Sequence, residues 1–473
     1  MKKIMIKFGA ILLLVGCTGD FKDVVNFTDV ENPNLSESSV VGQPNSATIW
    51  ATGLERQLAN AFNETLILAE LGSDNYVNTQ TFFNQFLDDL DIRTTDPDIR
   101  DAQNQIARIA KMAIFGLEEV GPNDPEYTAE LEAEFNFYLG LSRLLAGMYF
   151  SALPQETLGV PISSAENLQS AIESFNAAIA TSAKPEYHLA RARAYYYLGN
   201  KTEAVASANA ALALDDTFSR TVKFDQKNGP TNTMDDALFG RGTFDDLQPL
   251  PTLDFLDPKY SRIDDEVDAP VHYLKAEEAY LILAEANLAD GNVPAAQANL
   301  EDLLDLVDTR EVRNIDDGAE GRTERNPGTR PDNASVIVNG RSGLVLDRQA
   351  GNVDVPSVSG TSLTPADIAG MANNDAALVL LYRTRQEIFI AEGLRFVDMG
   401  VKLVINENEI FQNDNVSEGD PSTVAVIPSF IASVVADLDA ITYDADAGVA
   451  TTAIDLNEVL VSNKSSDQVL PFH

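Results

Sequence analysis

The chain has 473 residues, of which 44% are hydrophobic and 8% aromatic, a composition typical of a globular protein with a sizeable core. It carries 73 acidic residues against 33 basic ones, which gives a formal net charge of -40. Such a surface repels phosphate backbones and anionic lipid headgroups, so nucleic acid is excluded as an expected partner.

Two explanations of this acidity remain open: solubility in a medium whose salt screens self-repulsion, and calcium binding. The nearest match to a calcium loop is the DADAG stretch, with Asp444, Asp446 and Gly448. It lacks the ligand at the fifth loop position, the glycine at the sixth and the closing glutamate. The sequence therefore predicts no cofactor, and structural calcium stays an alternative that no motif supports.

The first sixteen residues are typical of an export signal. Three lysines form a positive start, and the apolar stretch 8–15 is too short to span a bilayer. The tetrapeptide LVGC follows, which resembles the lipobox of bacterial lipoproteins, and its Cys17 is the only cysteine in the chain. A lone cysteine in an exported protein forms no internal disulfide, which favours lipidation. A plain secretory signal with an incidental cysteine is the alternative.

We therefore expect residues 1–16 to be a lipoprotein signal peptide. Residues 17–45 are predicted to be a lipidated N-terminus and tether, because they contain an NPN turn signal and a SESS run. Acyl chains contribute roughly 0.8 kcal/mol of membrane affinity per buried methylene, so several chains on Cys17 would hold the protein at a bilayer. Residues 46–473 are predicted to be a single domain.

Beyond the tether the apolar spacing is helical, and strand-like alternation is scarce. The sequence predicts a mainly α fold, with helices over most of 46–215. The predicted helices are 46–72, 100–119, 129–150, 166–182, 186–199, 201–214, 268–290, 294–307, 374–404 and 424–439.

Two predicted helical pairs have the pattern of tetratricopeptide repeats. In the first, small residues such as Ala192 and Ala204 let antiparallel helices approach closely, and Gly199-Asn200 makes the turn. The second repeats this pattern around Gly291, and LQSAIESFNAAIA is a partial third copy. We predict a tetratricopeptide-like helical-pair superhelix, with pairs in about 129–214 and 268–307 and long irregular loop insertions at about 216–266 and 308–372.

The second insertion contains seven arginines between Arg310 and Arg348, a local reversal of the chain's charge. They could meet an anionic ligand or an acidic partner, or they could pair with acidic residues nearby. We favour pairing, because such charges usually form solvated ion pairs. The nearby acidic residues are Asp308, Glu311, Asp316, Asp317, Glu320 and Glu324.

The predicted helix at 374–404 contains the stretch LYRTRQEIFIAEGLRFVDMG. Its apolar residues make one helical face, and its arginines and carboxylates are placed to form ion pairs in the core, Glu392 with Arg395 three residues apart and with Arg385 two turns apart. Gly393 would let a neighbouring element approach closely, at a cost of about 1 kcal/mol in helix stability. The stretch is therefore interpreted as structural.

The pattern of this stretch resembles the signature helix of the SusD/RagB family, surface nutrient-binding lipoproteins of the Bacteroidetes type. The AEANL sequence at 284–288 is similar to the family's AEAxL-type repeat helix. The resemblance implies the family's fold and a structural signature helix. In this chain, Met399-Gly400 stands where a basic residue often follows the aspartate, and aromatic binding residues are sparse. The matching residues are Arg385, Glu387, Phe389, Glu392, Gly393, Arg395, Phe396 and Asp398.

The resemblance also implies a function. Such proteins are anchored by lipid at the cell surface on the outer membrane. They sit as a hinged lid on a SusC-like TonB-dependent barrel, to which they deliver an oligosaccharide or, less expected, an oligopeptide. A lipid-anchored repeat scaffold that binds only proteins is the alternative, although long interruptions are unusual in stacked repeats. A surface hydrolase is a third reading.

We predict no enzyme activity. The three histidines are scattered without metal spacing, and the sequence has no phosphate-binding glycine loop or nucleophile elbow. Paired carboxylates could arise by chance among 73 acidic residues. The candidate ligand contacts are aromatic, because sugars stack on exposed rings. They are Tyr76, Phe82 and Phe83 in a loop-like segment, and Trp50, for which packing in a helix is the favoured role.

Overall fold

The computed structural model describes residues 41–78, 84–240, 247–260, 267–316, 331, 333–347 and 351–473. The predicted signal segment, Cys17 and most of the tether lie outside the described residues. In the described ranges, no helix combines the length and the apolar character needed to cross a membrane.

The described part of the chain is mainly helical, as predicted. Eight helices of 13 or more residues account for most of the described structure up to residue 308, and a ninth lies at Asp375–Ile388. The helices are α1 (Ser46–Leu71), α2 (Gln85–Asp88), α3 (Pro97–Phe115), α4 (Gly121–Asn123), α5 (Ala129–Tyr149), α6 (Ser164–Thr181), α7 (Pro185–Tyr197), α8 (Lys201–Leu214), α9 (Thr233–Asp235), α10 (Ala276–Ala289), α11 (Val293–Asp308), α12 (Pro365–Ala369), α13 (Asp375–Ile388), α14 (Leu394–Asp398), α15 (Glu407–Gln412), α16 (Ser429–Ala432) and α17 (Leu456–Ser462).

The strands are short and pair locally or across the insertions. The antiparallel pairs are β1 (Tyr76–Asn78) with β5 (Leu247–Pro249), β2 (Ala152–Leu153) with β3 (Ile162–Ser163), β4 (Ser219–Val222) with β6 (Val271–Lys275), β7 (Val312–Asp316) with β9 (Asn352–Pro356), and β10 (Ile441–Asp444) with β11 (Val449–Thr452); β8 (Ile337–Val338) runs parallel to β11.

The predicted helical pairs are present as three hairpins: α5 with α6, α7 with α8, and α10 with α11. At the turns of the second and third hairpins, Gly199 and Gly291 have φ values of +69° and +72°, which glycine adopts without strain. The side chains of Asn200 and Asn292 then accept hydrogen bonds from the first turns of α8 and α11. The two complete pairs are far apart in sequence, yet α8 contacts α10 in the structure.

Two predicted helices are wrong in part. Residues 271–275 form β6 instead of the start of a helix at 268, because the apolar and aromatic run VHYLK pairs with β4. The predicted helix at 424–439 is reduced to α16 and a 3₁₀ turn at Val435–Asp437. Val426 exchanges backbone hydrogen bonds with Lys402, and Pro428 follows, so this part of the chain is extended.

The buried apolar residues form one large cluster from Ala47 to Leu470, joined by residues of the hairpins, both insertions and the C-terminal segment. A second, small cluster lies under β8 and β11. Within the described residues, the insertions are therefore held against the helical body by shared core. This is the arrangement that positions the site described next.

Candidate functional site

Residues 381–400, which we call the signature stretch, do not form one continuous helix. α13 ends at Ile388, residues 389–393 form a turn, and α14 begins at Leu394. The turn contains two residues in the left-handed region, Ala391 at φ +60° and Gly393 at φ +75°. The predicted helix over 374–404 is thus wrong in its continuity, because a residue with positive φ ends the helical hydrogen-bond ladder.

Gly393 also lets neighbouring helices pack closely against the turn, as the sequence predicts. A Cβ placed there would lie 2.5 Å from the hydroxyl of Tyr149 and 2.9 Å from Cδ2 of Leu66. Its amide donates a 2.7 Å hydrogen bond to the buried carboxylate of Glu70. The turn therefore packs directly against α1 and α5.

The charged residues of the stretch form buried ion pairs, as interpreted from the sequence, but with other partners. Arg395 binds Asp74 through Nε at 2.5 Å and Nη2 at 2.8 Å, with both residues buried. Arg385 binds Asp398 at 2.7 Å. Glu392 accepts a 2.6 Å hydrogen bond from Lys275, which is fully buried. The break at 389–393 is the reason that the intrahelical pairs expected for Glu392 do not form.

Glu387 holds the second insertion against α13. Its carboxylate accepts three hydrogen bonds, from the Thr361 hydroxyl at 2.7 Å, the Ser362 amide at 2.7 Å and the Ser362 hydroxyl at 2.5 Å. Glu387, Glu392 and Arg395 thus each fix a different segment of the chain. The signature stretch is the point at which the segments meet.

A polar cleft opens beside this meeting point. Its volume is about 170 Å³, and five parts of the chain line it. They are Asp74 after α1, the segment 250–253 after β5, Asn339 and Arg341 after β8, the α13 residues Arg383, Gln386 and Glu387, and residues 452–457 at β11 and α17.

The floor of the polar cleft is a closed hydrogen-bond network. Gln386 donates to Asp74 at 3.1 Å and to Asn75 at 3.0 Å, and it accepts from Asn457 at 3.0 Å. Arg395 donates to Asn457 at 2.9 Å and pairs with Asp74. All five residues are buried, and satisfied buried networks fix side-chain positions.

The network continues inward to Glu70, which accepts a 2.7 Å hydrogen bond from Asn75. Burial raises the pKa of Glu70 to about 7, against the lowering effect of its hydrogen bonds to Asn75 and Gly393. The cleft floor is therefore built on a carboxyl group that titrates near neutrality.

The rim carries polar and charged groups that can meet a ligand. Arg383 is half-buried and forms no hydrogen bond or ion pair with any residue in the described ranges. Arg341 donates to Ser362 and lies 3.9 Å from Glu387. Asn339 exchanges hydrogen bonds with Thr452, and Asp455 caps α17 through the amide of Asn457. These donors and acceptors can bind hydroxyl groups or an anion.

The aromatic candidates lie elsewhere or deeper. Trp50 is half-buried in α1, where its Nε1 donates to the Met112 carbonyl at 2.7 Å and its ring packs on Phe115 at 5.2 Å. Tyr76 is 1% exposed in β1, so its ring does not belong to the surface. These positions give no support to ligand contact by either residue. Phe82 and Phe83 lie outside the described residues, and their role stays a prediction.

The pairing of Arg310, the first arginine of the second insertion, differs from expectation, whereas Arg322, Arg325, Arg330 and Arg348 lie outside the described residues. Arg310 forms a bidentate pair with Glu277, with both distances 2.7 Å, rather than with an acidic neighbour in sequence. Arg341 and Arg383, which line the cleft, were not among the predicted site residues. A signal was present in the sequence, since Arg383 lies outside the apolar face of α13 and Arg341 lies in the arginine-rich stretch.

No group of three or more metal-ligating side chains occurs within the described part of the chain. His188 and His272 are separated, and burial lowers the pKa of His188 to about 4 and that of His272 to about 3. His473 also has a lowered pKa, through burial. The carboxylates of the cleft are used in hydrogen bonds that hold the structure.

No protein-family model and no curated protein matches this chain. Several solved structures are similar to it in fold. A SusD-like carbohydrate binding protein from Bacteroides vulgatus has a TM-score of 0.51 at 13% identity, over 76% of this chain and 83% of its own. A SusD superfamily protein from Bacteroides fragilis has a TM-score of 0.50 at 13% identity, over 85% of this chain and 99% of its own.

A second structure from Bacteroides fragilis, a SusD-like protein, gives a TM-score of 0.50 at 12% identity, over 76% of this chain and 86% of its own. The fold of this chain is therefore SusD-like and mainly α. The predicted resemblance to the SusD/RagB family is confirmed as a likeness of fold, which extends well beyond the signature stretch.

Proposed function

We propose that this protein is a cell-surface lipoprotein that binds an oligosaccharide nutrient in the polar cleft. In this proposal, acyl chains on Cys17 anchor it to the outer membrane, and it acts as a hinged lid that delivers its ligand to a SusC-like TonB-dependent barrel. An oligopeptide ligand is the less favoured form of the same proposal, and no catalytic step is assigned.

The observation that carries the proposal is the position of the cleft. Both insertions, the loop after α1 and the C-terminal segment converge on the signature stretch, and long loops in a compact domain are usually functional. Helix α13 contributes to the floor and the rim of the site, and loops supply much of the rest of the rim. The SusD-like fold adds support, because one protein with this fold is described as carbohydrate binding.

The chemistry of the cleft suits a polyhydroxylated ligand. Its volume of about 170 Å³ is small, so it accommodates part of a ligand whose remainder lies outside. A sugar hydroxyl both donates and accepts, and the rim offers guanidinium donors and carboxylate and amide acceptors. Sugar hydroxyls can make with these groups the hydrogen bonds that solvent would otherwise make.

The alternative is a lipid-anchored scaffold that binds proteins only. The three stacked hairpins support it, because such repeats provide binding surfaces for proteins. The two proposals differ in whether the polar cleft is used. The nutrient proposal predicts that the protein binds glycans and that substitutions in the cleft abolish this binding. The scaffold proposal predicts no glycan binding.

The test begins with the native membrane. The protein carries a C-terminal tag, the membrane is extracted in mild detergent, and the proteins recovered with the tag are identified, with Cys17→Ala as the control. We expect a large outer-membrane barrel in stable proportion with the unmodified chain, and loss of the membrane fraction in Cys17→Ala. Recovery of soluble proteins alone would favour the scaffold.

A further inference from the structure

Two arginine residues contribute to the lining of the polar cleft. Arg341 and Arg383 both line it, and both are half-buried. Burial and the nearby positive charge of Arg383 lower the pKa of Arg341. Two cations that share a partly buried site repel each other, and the repulsion is relieved by an anion placed between them.

The carboxylates around the cleft are already engaged. Asp74 is paired with Arg395, and Glu387 accepts three hydrogen bonds from residues 361 and 362, with Arg341 only at 3.9 Å. Asp455 is exposed and accepts the amide of Asn457 at 2.9 Å. Asp455 and Glu387 lower the repulsion without forming a close ion pair with Arg383.

Within the described part of the chain, Arg383 is unusual because its guanidinium has no hydrogen bond or ion pair. With a net charge of -40, carboxylates far outnumber basic groups, and each of the buried arginines Arg193, Arg385 and Arg395 has a carboxylate within 2.7 Å. Arg383 is half-buried, lines the cleft and has no partner within the described residues, so its guanidinium is available to donate hydrogen bonds to a ligand.

We infer that the ligand is an acidic oligosaccharide, and that Arg341 and Arg383 bind its anionic group. This inference rests on the proposed function and adds the substrate class. A carboxylate, as in a uronic acid, matches the planar fork of arginine with two parallel hydrogen bonds; a sulfate ester offers the same acceptors. Neutral oligosaccharides lack the group and leave both guanidiniums without an anion.

The test measures binding of the purified mature protein to an array of neutral, carboxylated and sulfated oligosaccharides, followed by titration calorimetry with the best binders. We expect carboxylated or sulfated members to bind at least tenfold more tightly than neutral members of equal length, since a charge-assisted pair contributes about a factor of ten or more. The two acidic sets separate carboxylate from sulfate recognition.

Substitutions then locate the effect. Arg383→Gln is expected to weaken binding of the acidic ligand about tenfold or more, and Arg383→Lys to restore part of it, because lysine keeps the charge but not the fork. The matched control is Arg108→Gln, which removes an exposed arginine on α3 outside the cleft. Because Arg383 has no partner in the described ranges, the variant is expected to fold, which the Tm checks.

The outcomes separate the two proposals. Preference for neutral oligosaccharides, with no effect of Arg383→Gln, would overturn the inference and leave the proposed function standing. Acidic peptides bound in place of glycans would overturn both the inference and the oligosaccharide form of the function. If no glycan on the array bound, both would fail together.

Discussion

Gly393 gives the most direct test of how the signature stretch is built. Replacement by alanine adds a Cβ to a residue at φ +75°, which costs about 1–2 kcal/mol for an L-residue in the left-handed region. The same Cβ meets the Tyr149 hydroxyl at 2.5 Å and Leu66 at 2.9 Å, in a region where overpacking costs about 1–3 kcal/mol. Gly393→Ala should therefore lower the free energy of unfolding by about 2–5 kcal/mol, a large part of the 5–15 kcal/mol typical of a domain.

The assay is urea unfolding followed by far-UV circular dichroism, with the midpoint and the slope both fitted. The matched control is Gly448→Ala, because Gly448 has φ +62° but no atom within 4 Å of the added Cβ. Gly448→Ala therefore measures the cost of the left-handed backbone alone, without a steric clash. Tyr149→Phe combined with Gly393→Ala should recover part of the loss by removing the nearest atom. If Gly393→Ala cost no more than Gly448→Ala, the close packing of the turn against α1 and α5 would be refuted.

Three further predictions concern the buried polar groups and the helix ends. Arg395→Met leaves the buried Asp74 without its ion-pair partner and should lower the free energy of unfolding by about 3–5 kcal/mol, measured by urea unfolding. Arg93→Met, which removes an exposed pair with Asp91, should leave the midpoint unchanged. Burial raises the pKa of Glu285 from 4.5 to about 7, so the folded state binds a proton more tightly than the unfolded state. The stability that this proton contributes is full below pH 4.5 and is lost as pH rises through 7. Glu285→Gln keeps an acceptor for Tyr196 and Tyr382 and should reduce the fall in urea midpoint between pH 5 and pH 8; an unchanged fall would assign it to other groups. Ser163→Ala removes the capping box of α6 and should cost about 1 kcal/mol, with Ser433→Ala, at an exposed hydroxyl, as the control.

Local signals predicted the helices well. The turns at Gly199-Asn200 and Gly291-Asn292 are marked by residues whose own chemistry makes the turn, and the alanines that pack the hairpins recur at helical spacing. The strand at 271–275 was missed because its apolar run suits a helix equally, and pairing with β4, some 50 residues earlier, decides the outcome.

The polar cleft could not be predicted in the same way. Its floor joins Asp74 to Arg395 across 321 residues and Gln386 to Asn457 across 71. The sequence indicated that the charged residues of the signature stretch form core ion pairs, but it carried no information on which distant segment each one holds. The aromatic candidates were chosen for their chemistry, whereas burial of Tyr76 follows from its pairing with β5.

The order in which the signature stretch leaves the ribosome has a consequence for biogenesis. Asp74 can pair with Arg395 only after 321 more residues have been synthesised, and Lys275 can pair with Glu392 only after 117 more. At about 5–20 residues per second, the first interval takes roughly 16–64 s of synthesis. Throughout that time the N-terminal helices lack the partners that neutralise charges meant for the interior. Folding of this body is therefore expected to finish only after translation, and a chain truncated before residue 385 should be a substrate for proteases rather than a stable fragment.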